Sequence, residues 1–331
     1  MHKFKKRLSV ILIICLTFLI MTLISCTEND LIEPEPNLFI ALGDSVSSGY
    51  GLHYLEERHT FMFYERLKEN GYNYIEHYLN KAVAGYTTTD LLAFLNSMDE
   101  DTRNIFNSAR IVTLNIGGNN VLTPFTRYIS GREDIDIEDI IFEYTEEVAE
   151  EDALGIGRRI VDGALAVWGV VRDAVTDTVS TGRTILGLFT PELEATLEGG
   201  VQIFADEFGQ IITWIETHAP RATIIVNTVY NPIPSQLLII PVALSDRAEE
   251  LIQVINSIIR EESEARGFLV VDVHSRFANE SNLMGLMRFN LNPFAGGVNV
   301  DIIHPNSTGH NIIAQLKYEQ YLLTRLTRTS E

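Results

Sequence analysis

The chain has 331 residues, of which 46% are hydrophobic, and its formal net charge is −20 at pH 7. This length allows one large or two small domains with a sizeable core. The strong negative charge argues against nucleic acid as a partner and against docking on anionic lipid through a charged face.

The first 26 residues have the pattern of a targeting signal. Four cations stand near the start: Lys3, Lys5, Lys6 and Arg7. An uncharged apolar run from Leu8 to Ile24 follows, and Leu23-Ile24-Ser25-Cys26 then resembles the bacterial lipoprotein signal, in which cleavage leaves a lipidated cysteine at the new N-terminus. We therefore expect a signal peptide over residues 1–25 and a membrane-anchored lipoprotein at the bacterial cell surface.

An uncleaved helical anchor is the alternative, because the apolar run is long for a signal peptide. Either interpretation places the rest of the chain outside the cytoplasm. The two cysteines, Cys15 and Cys26, both lie in this segment, so we expect no disulfide and no thiolate metal site in the mature chain. Residues 26–36 are rich in Glu and Pro and predict a short solvated tether.

From Asn37 onwards, apolar runs alternate with amphipathic segments. The predicted strands are Leu38–Leu42, Tyr74–Ala82, Ile111–Ile116, Thr223–Val229 and Phe268–Val273. The predicted helices are Thr60–Asn70, Thr88–Met98, Ser245–Arg266 and Asn306–Leu326. Thr88 or Thr89 is the expected cap of the second helix. This alternation predicts an α/β fold, with a parallel sheet that is covered by helices on both faces.

Residues 122–200 interrupt that alternation, and we interpret them as an inserted helical subdomain. Residues 133–152 contain eleven acidic residues and no basic one. They lack the Asp/Asn–Gly spacing of a calcium loop, so a solvated face is favoured over a cation site. Arg158–Val179 then has apolar residues at the helical period, which predicts an amphipathic helix.

Ser45 follows the first strand in the sequence Gly43-Asp44-Ser45. An apolar run that stops at a glycine predicts a strand ending in a tight turn into a helix. A serine there lies at the carboxyl edge of the sheet, where open α/β folds bind ligands, and its N–H is near a helix N-terminus. A helix-capping serine is the structural alternative.

Asp301 and His304, three residues apart, can lie on one turn with the carboxylate beside the imidazole. Such a carboxylate fixes the tautomer of the ring and stabilises the imidazolium, which leaves the other nitrogen to take a proton from a hydroxyl. Asn119 follows two glycines at the end of the third strand, and Gly85 follows the second. Asn119 is expected to present its amide side chain at the same sheet edge as Ser45, and Gly85 could offer its N–H to a ligand.

Together these residues resemble the SGNH, or GDSL-type, family of serine esterases and lipases. The four blocks of that family stand here in order as Gly43-Asp44-Ser45, Gly85, Gly117-Gly118-Asn119-Asn120 and Asp301-x-x-His304. The resemblance covers residues 37 to about 326, except for the insert. It implies a flavodoxin-like three-layer sandwich with a five-stranded parallel sheet. Any one block is common by chance, but all four in order make a specific signal.

The resemblance also implies a role for each matching residue. Ser45 would be the nucleophile, His304 the general base and acid, and Asp301 its orienting partner. The N–H of Ser45, the N–H of Gly85 and the side chain of Asn119 would bind the oxyanion. No metal or other cofactor is required.

Two details qualify the resemblance. Asn120 stands where the family often has Asp, at a position that supports the loop, so the change affects loop detail more than the reaction. No G-x-S-x-G sequence occurs around Ser45 or elsewhere, so the nucleophile elbow of the α/β-hydrolases is not the model.

The sequence thus predicts a lipid-anchored serine esterase that cleaves carboxylic esters through an acyl-enzyme. The apolar stripe of Arg158–Val179 could cover the site, which favours lipase or lysophospholipase activity. A deacetylase or acetyltransferase acting on cell-wall or other polysaccharide is the alternative within this fold, and a non-catalytic surface lipoprotein is a different class. A deep apolar slot would favour lipid, whereas a shallow cleft with exposed aromatic residues would favour sugar.

Other candidate residues receive structural interpretations. His310 is predicted to be a surface or packing residue of the last helix. His274 is predicted to be structural, although Asp272 nearby leaves a supporting role open. Trp214 is predicted to be core, and Tyr230-Asn231-Pro232 to line the pocket rim or form a plain turn.

Overall fold

The computed structural model describes residues 37–130, 190–232, 242–290 and 299–328. The predicted signal and tether lie outside the described residues, and so do the acidic run and the predicted helix Arg158–Val179. Within the described ranges, no helix combines the length and the apolarity that a membrane crossing needs.

The central sheet has five strands in the order β2-β1-β3-β4-β5, and every neighbouring pair is parallel. The strands are β1 Leu38–Gly43, β2 His77–Asn80, β3 Ala109–Asn115, β4 Thr223–Asn227 and β5 Leu269–Val271. The predicted α/β fold and its flavodoxin-like order are confirmed. In this order the strand sequence reverses between β1 and β3, which is where such sheets form a ligand crevice.

Nine helices are found in the described residues. They are α1 Ser45–Ser48, α2 His59–Glu69, α3 Thr88–Ser97, α4 Glu100–Phe106, α5 Gly118–Ser130, α6 Pro191–His218, α7 Val242–Arg266, α8 Val273–Ala278 and α9 Ser307–Arg328. Short 3₁₀ turns lie at Leu55–Glu57 and Leu283–Leu286. Helices α3 to α7 contribute to the apolar core on one face of the sheet, and α2, α8 and α9 to the core on the other.

Strand β1 shows why both faces are covered. Its side chains alternate, so that Leu38, Ile40 and Leu42 enter one core while Phe39 and Ala41 enter the other. All six residues of the strand are buried. Full burial of a Leu, Ile or Phe side chain contributes about 1.5–3 kcal/mol. A strand without a polar face is stable only between two layers of helices.

The cap of α3 differs from the prediction. Thr87, and not Thr88 or Thr89, is the N-cap, and its side chain accepts a hydrogen bond from the Asp90 N–H. The Asp90 carboxylate accepts in return from the Thr87 N–H at 2.9 Å, which completes a capping box. Thr88 and Thr89 instead donate their hydroxyls to Glu207 of α6.

Helix α6 was not predicted, and its first turns lie within residues 122–200, the predicted insert. Pro191 stands in its first turn, and Thr190 accepts from the Leu193 N–H at 3.2 Å. Apolar residues at helical spacing face the core: Leu193, Leu197, Val201, Phe204, Phe208, Ile211 and Ile215. Because α6 packs against α3, α5 and α7, both described ends of the predicted insert belong to the main body.

A second sheet carries the C-terminal motif. Strands β6 Met287–Asn290 and β7 Asn299–Pro305 pair as an antiparallel hairpin. No strand was predicted there, because the polar residues between Arg288 and Asp301 break any apolar run. Both Asp301 and His304 lie on β7.

Candidate active site

Backbone constraints at the end of β1 fix the position of Ser45. Gly43 has a φ of +126°, and a Cβ atom there would lie 1.9 Å from the carbonyl oxygen of Asn115. Asp44 then caps α1: its Oδ1 accepts from the Val46 N–H at 3.1 Å. Ser45 is the first residue of α1 and is 5% exposed. The predicted strand–turn–helix around Ser45 is therefore present.

A row of polar side chains crosses the carboxyl ends of three neighbouring strands. Asn115 donates from Nδ2 to Asp44 Oδ1 at 2.9 Å, and Asn227 donates from Nδ2 to Asn115 Oδ1 at 3.0 Å. All three residues are buried. Hydrogen bonds in such a low-dielectric setting are strong and give rigidity. Asn115 and Asn227 were not predicted as site residues, although each is an amide that ends an apolar strand.

Asp301 and His304 form a buried pair on β7. His304 Nδ1 lies 3.0 Å from Asp301 Oδ2 and 3.1 Å from Oδ1, and Arg288 donates from Nη1 to Oδ2 at 2.8 Å. Burial by itself raises the pKa of Asp301, but the charge and hydrogen bonds of His304 and the charge of Arg288 outweigh it, so this pKa lies below its usual range. Asp301 is therefore ionised, and it holds the Nδ1–H tautomer of His304.

The local geometry of this pair differs from the predicted single turn. Regular strand residues three apart point to opposite faces, which would separate the two side chains. Here the Asp301 carboxylate folds back along the chain, and its Oδ1 accepts from the N–H groups of Ile303 at 3.1 Å and His304 at 3.0 Å. These two bonds bring the carboxylate beside the imidazole.

Tyr230 connects the end of β4 to the same strand. Its hydroxyl donates to the carbonyl oxygen of Ile303 at 2.5 Å. Burial raises the pKa of Tyr230 well above its usual value, and the negative charges of Asp44 and Asp301 raise it further. The hydroxyl therefore stays neutral and acts as a donor that anchors β7 over the sheet.

The nucleophile segment and β7 lie against each other. Helix α1 contacts β7, and Ser45 and Ile303 line the same cavity. Just after α1, the ring of Tyr50 lies 4.7 Å from the ring of His304. The structure thus brings Ser45, Asp301 and His304 to one edge of the sheet, and their catalytic roles stay a prediction.

Asn119, in the first turn of α5, faces the same cavity as Ser45. Its side chain is held, because Nδ2 donates to the carbonyl oxygen of Tyr86 at 3.1 Å. A carboxamide nitrogen carries two hydrogens, so this bond orients the group and leaves the second N–H for a ligand. The backbone N–H of Ser45 makes no hydrogen bond within the described part of the chain.

Gly85 lies one residue before Tyr86 but faces a different space. It has a φ of +81°. It lines a separate open groove together with Thr87, Asn120 and Arg127, and it does not line the cavity beside Ser45. Its link to the site is indirect, through the Tyr86 carbonyl that accepts from Asn119. An oxyanion role for Gly85 therefore stays a prediction.

Asn120 supports the neighbouring loop. Its Oδ1 accepts from the Thr88 N–H at 3.1 Å, and its Nδ2 donates to the Thr88 hydroxyl at 2.8 Å and to the Gly200 carbonyl at 3.4 Å. An amide supplies both the acceptor and the donor that this arrangement needs, whereas an ionised Asp has no donor. Asn at this position therefore fits a loop held from α3 and from α6.

The cavity beside Ser45 is narrow and apolar. Its walls come from α5, α6, α7 and the segment after β4, and include Val121, Phe125, Leu197, Val229, Leu251 and Ile255. The cavity and its mouth enclose about 850 Å³ of empty space. Tyr230 and Pro232 line it, which agrees with the predicted pocket rim.

A charged cluster joins two walls of this cavity. Arg247 of α7, which also lines the cavity, donates to Glu194 at 2.9 Å and Glu198 at 3.0 Å on α6, and to Glu250 at 2.8 Å on its own helix. The Arg247 side chain is 23% exposed, so this bridge lies toward the solvent side. It ties α6 to α7 and limits how far the slot can widen.

His274 and His310 have structural roles, and His310 is a packing residue and not a surface one, but their partners were not predicted. His310 is buried, and its Nδ1 accepts from the His59 N–H at 3.1 Å. His274 lies 2.8 Å from Glu249 on α7 and not beside Asp272, which instead caps α8 through Ser275. Sequence spacing favours Asp272 as the partner, but that carboxylate is taken up by the cap.

Trp214 lies in the core, as predicted, with its ring edge-on to Phe106 at 5.0 Å.

Comparison with known proteins agrees with this architecture. A family model described as the GDSL-like Lipase/Acylhydrolase family matches residues 41–312. The crystal structure of the lipase Lip_vut3 from a goat rumen metagenome is 16% identical, covers 86% of this chain and 96% of its own, and has a TM-score of 0.53. The extracellular lipase from Streptomyces rimosus is 15% identical, covers 86% of this chain and 99% of its own, and has a TM-score of 0.50. No curated protein matches the chain.

Proposed function

Because the chain belongs to the GDSL-like lipase/acylhydrolase family of ester-hydrolysing enzymes, we propose that it is a serine esterase for esters with an apolar acyl chain. The observation that carries this proposal is the narrow apolar cavity that begins at Ser45. An unbranched alkyl chain fits such a slot and gains about 0.8 kcal/mol for each buried methylene group. A sugar ring would leave its hydroxyl groups without partners there.

Ser45 attacks the ester carbonyl and gives its hydroxyl proton to His304. Serine is a poor nucleophile at neutral pH, so it needs this adjacent base. Asp301 holds the imidazole by Nδ1 and stabilises the imidazolium that forms. His304 then returns the proton to the departing alcohol oxygen, and the acyl group stays on Ser45. Water, deprotonated by His304, attacks this acyl-enzyme and releases the carboxylic acid and the Ser45 hydroxyl.

The negative charge on the carbonyl oxygen needs donors that are in place before the reaction. We infer that two of these donors are the backbone N–H of Ser45 and the second amide hydrogen of Asn119, because both residues line the cavity. Such preorganised donors act on charge that exists only after attack begins, so they lower the barrier more than they tighten substrate binding. The Gly85 N–H is a third candidate, from the family resemblance alone.

Two observations argue against the alternative functions, which are a polysaccharide deacetylase or acetyltransferase and a non-catalytic lipoprotein. A polysaccharide deacetylase or acetyltransferase needs only a small acyl site beside a polar cleft, whereas the cavity here is apolar along α5, α6 and α7. A non-catalytic binding protein has no need for an ionised Asp301 that holds a histidine. The apolar cavity favours a lipid-type ester, and the Asp301–His304 pair favours catalysis over binding alone.

A chain-length profile tests this proposal. We expect kcat/KM on p-nitrophenyl esters to rise from acetate to medium or long chains and to exceed the rate on acetylated sugars. Replacing Ala248, which lines the cavity on α7, by Phe should shorten the preferred chain. Ala265→Phe on the exposed face of the same helix is the matched control. A preference for acetate that Ala248→Phe leaves unchanged would contradict the proposal.

The proposed location rests on the sequence pattern of the first 26 residues. We propose that the chain is cleaved before Cys26 and held at the cell surface by a lipid on that cysteine. Cys26→Ala should release the protein or stall its processing, as cell fractionation and intact mass would show. Membrane retention with residues 1–25 still attached would instead support an uncleaved anchor.

A further inference from the structure

Asp301 contacts a positively charged side chain in addition to the imidazole of His304. Arg288 on β6 donates from Nη1 to Asp301 Oδ2 at 2.8 Å, and this is the oxygen that lies 3.0 Å from His304 Nδ1. The Asp301 side chain is fully buried, and that of Arg288 is 18% exposed. Charges at such short range and with little water around them interact strongly.

We propose that Arg288 is a positioning residue that holds the Asp301 carboxylate against His304 and sets the pH at which His304 becomes an active base. This inference rests on the proposed function, in which His304 takes the proton of Ser45. A carboxylate shared with a guanidinium stabilises an imidazolium less, and the guanidinium itself repels a second cation. Arg288 therefore favours the neutral imidazole and extends activity to lower pH.

Arg288 is a cation in direct contact with the Asp301–His304 pair. Asp301 and Tyr50 also contact His304, and the further titratable and charged groups near them in the described residues are Tyr230, Asp44, His310, Lys317 and Arg58. Burial holds the pKa of Tyr230 well above its usual value and lowers that of His310 to about 3, so both are neutral near pH 7. Asp44 is engaged at the start of α1, with Val46 and Asn115.

The backbone after α1 holds the guanidinium in place. Gly51 has a φ of +71°, and a Cβ atom there would lie 1.7 Å from Arg288 Nη1. Gly51 follows Tyr50, whose ring lies 4.7 Å from that of His304. The segment that carries the nucleophile thus packs directly on the group that holds Asp301, so Arg288 joins the two halves of the site.

The pH profile of kcat/KM on a short p-nitrophenyl ester tests the inference. In Arg288→Gln, the midpoint of the acid limb should rise by about one pH unit, and in Arg288→Lys by less, because a cation is kept. Arg276→Gln is the matched control, since Arg276 pairs with Glu280 at 2.9 Å on the surface of α8. NMR titration of the His304 ring should give the same order without any need for activity.

A fall in rate with the acid limb and the NMR midpoint unchanged would mean that Arg288 is only structural, and would overturn the inference. If Arg288→Gln does not fold, Gly51→Ala tests the inference instead. Its added Cβ displaces the Arg288 guanidinium, so the midpoint of the acid limb of kcat/KM should again rise. Gly71→Ala is its control, with a φ of +93° and nothing within 4 Å. A wild-type protein without esterase activity would instead reject the proposed function, and the NMR titration would still decide the inference.

Discussion

His304 on β7 and His310 in the first turns of α9 lie six residues apart, and each is 1% exposed. His304 faces the ionised Asp301 at 3.0 Å. His310 faces His59, whose N–H donates to its Nδ1 at 3.1 Å and whose ring stacks on it at 5.4 Å. One ring is prepared to carry a positive charge, and the other serves as a neutral hydrogen-bond acceptor.

The charges around His310 explain the difference. Burial is the main cause that lowers its pKa to about 3, and the positive charges of His304, Lys317, Arg288 and Arg58 add to it. Lys317 is fully buried, and burial lowers its own pKa to about 7. Two buried histidines of one segment therefore differ because, within the described residues, a carboxylate contacts only His304. Burial alone makes a histidine inert, and a buried carboxylate makes it a base.

Removing the carboxylate should make the His304 site resemble the His310 site. Asp301→Asn keeps the volume but removes the negative charge and disturbs the Nδ1–H tautomer. We expect kcat to fall by about 10³–10⁴, the size of effect known for triad aspartates. Steady-state kinetics on a short p-nitrophenyl ester would measure it. Asp272→Asn, which keeps a good helix cap on α8, should leave kcat near the wild-type value. A similar loss in both variants would contradict the assignment.

In the proposed mechanism the region around Ser45 and His304 must also stabilise an anion, whereas the region around His310 has no such role. Asn119→Ala removes an oriented amide donor beside Ser45, so kcat should fall by about 10²–10³ (roughly 3–4 kcal/mol) with little change in KM. Asn120→Ala, next to it but turned to the loop, should cost less. A near-wild-type kcat with a raised KM would show that Asn119 only binds substrate.

Lys317 is one of the buried basic groups near His310, and its substitution tests the effect of burial on its pKa. Its Nζ has no hydrogen-bond partner among the described residues, so Lys317→Met should stabilise the protein. The pKa of Lys317 is about 7 in the folded state and about 10.4 when unfolded, so the unfolded chain binds more protons between these values. Wild-type stability therefore rises with pH across this window, and that of the variant does not.

The advantage of Lys317→Met should be largest, about 2–4 kcal/mol, at pH 7 and below, and should shrink toward pH 10. Urea unfolding at pH 7 and pH 10 would measure it, with Lys68→Met on α2 as the control. An advantage that is the same at both pH values would mean that Lys317 stays protonated in the fold.

The smallest effect is expected at His310. His310→Leu removes the acceptor of the His59 N–H and should cost about 1–3 kcal/mol of unfolding free energy. Because the proposed mechanism does not use His310, kcat should change by less than threefold. Chemical denaturation and kinetics on the same preparation would check both. A loss of kcat as large as that of Asp301→Asn would mean that the two histidines act together.

Short-range sequence patterns predicted much of this structure. The apolar run Leu38–Leu42 ended at a glycine, so the strand and the turn at Ser45 could be predicted from local rules. Asp301 and His304 were found because their spacing is part of the motif. Arg288 carries no such signal: it is 13 positions from Asp301, and only the hairpin of β6 and β7 brings them together.

Other features depend on contacts between residues that are far apart in the sequence. Helix α6 was missed because its first turns were assigned to an insert, although Thr190 and Pro191 give an ordinary helix start. The partner of His274 was misjudged because Glu249 reaches it from another helix, 25 positions away. The sequence also could not predict which cavity Gly85 lines, because this depends on how Tyr86 and Asn120 hold the loop.

Covalent labelling tests whether Ser45 is the residue that carries the acyl group. A fluorophosphonate should modify the wild-type protein once, and peptide mass spectrometry should place the label on Ser45. Ser45→Ala should take up none, and Asp301→Asn should react far more slowly, because His304 is then a poorer base. Ser47, fully buried two positions away, and Ser48 are the internal controls. A label on Ser47 or Ser48, or undiminished labelling of Ser45→Ala, would show that Ser45 is not the nucleophile.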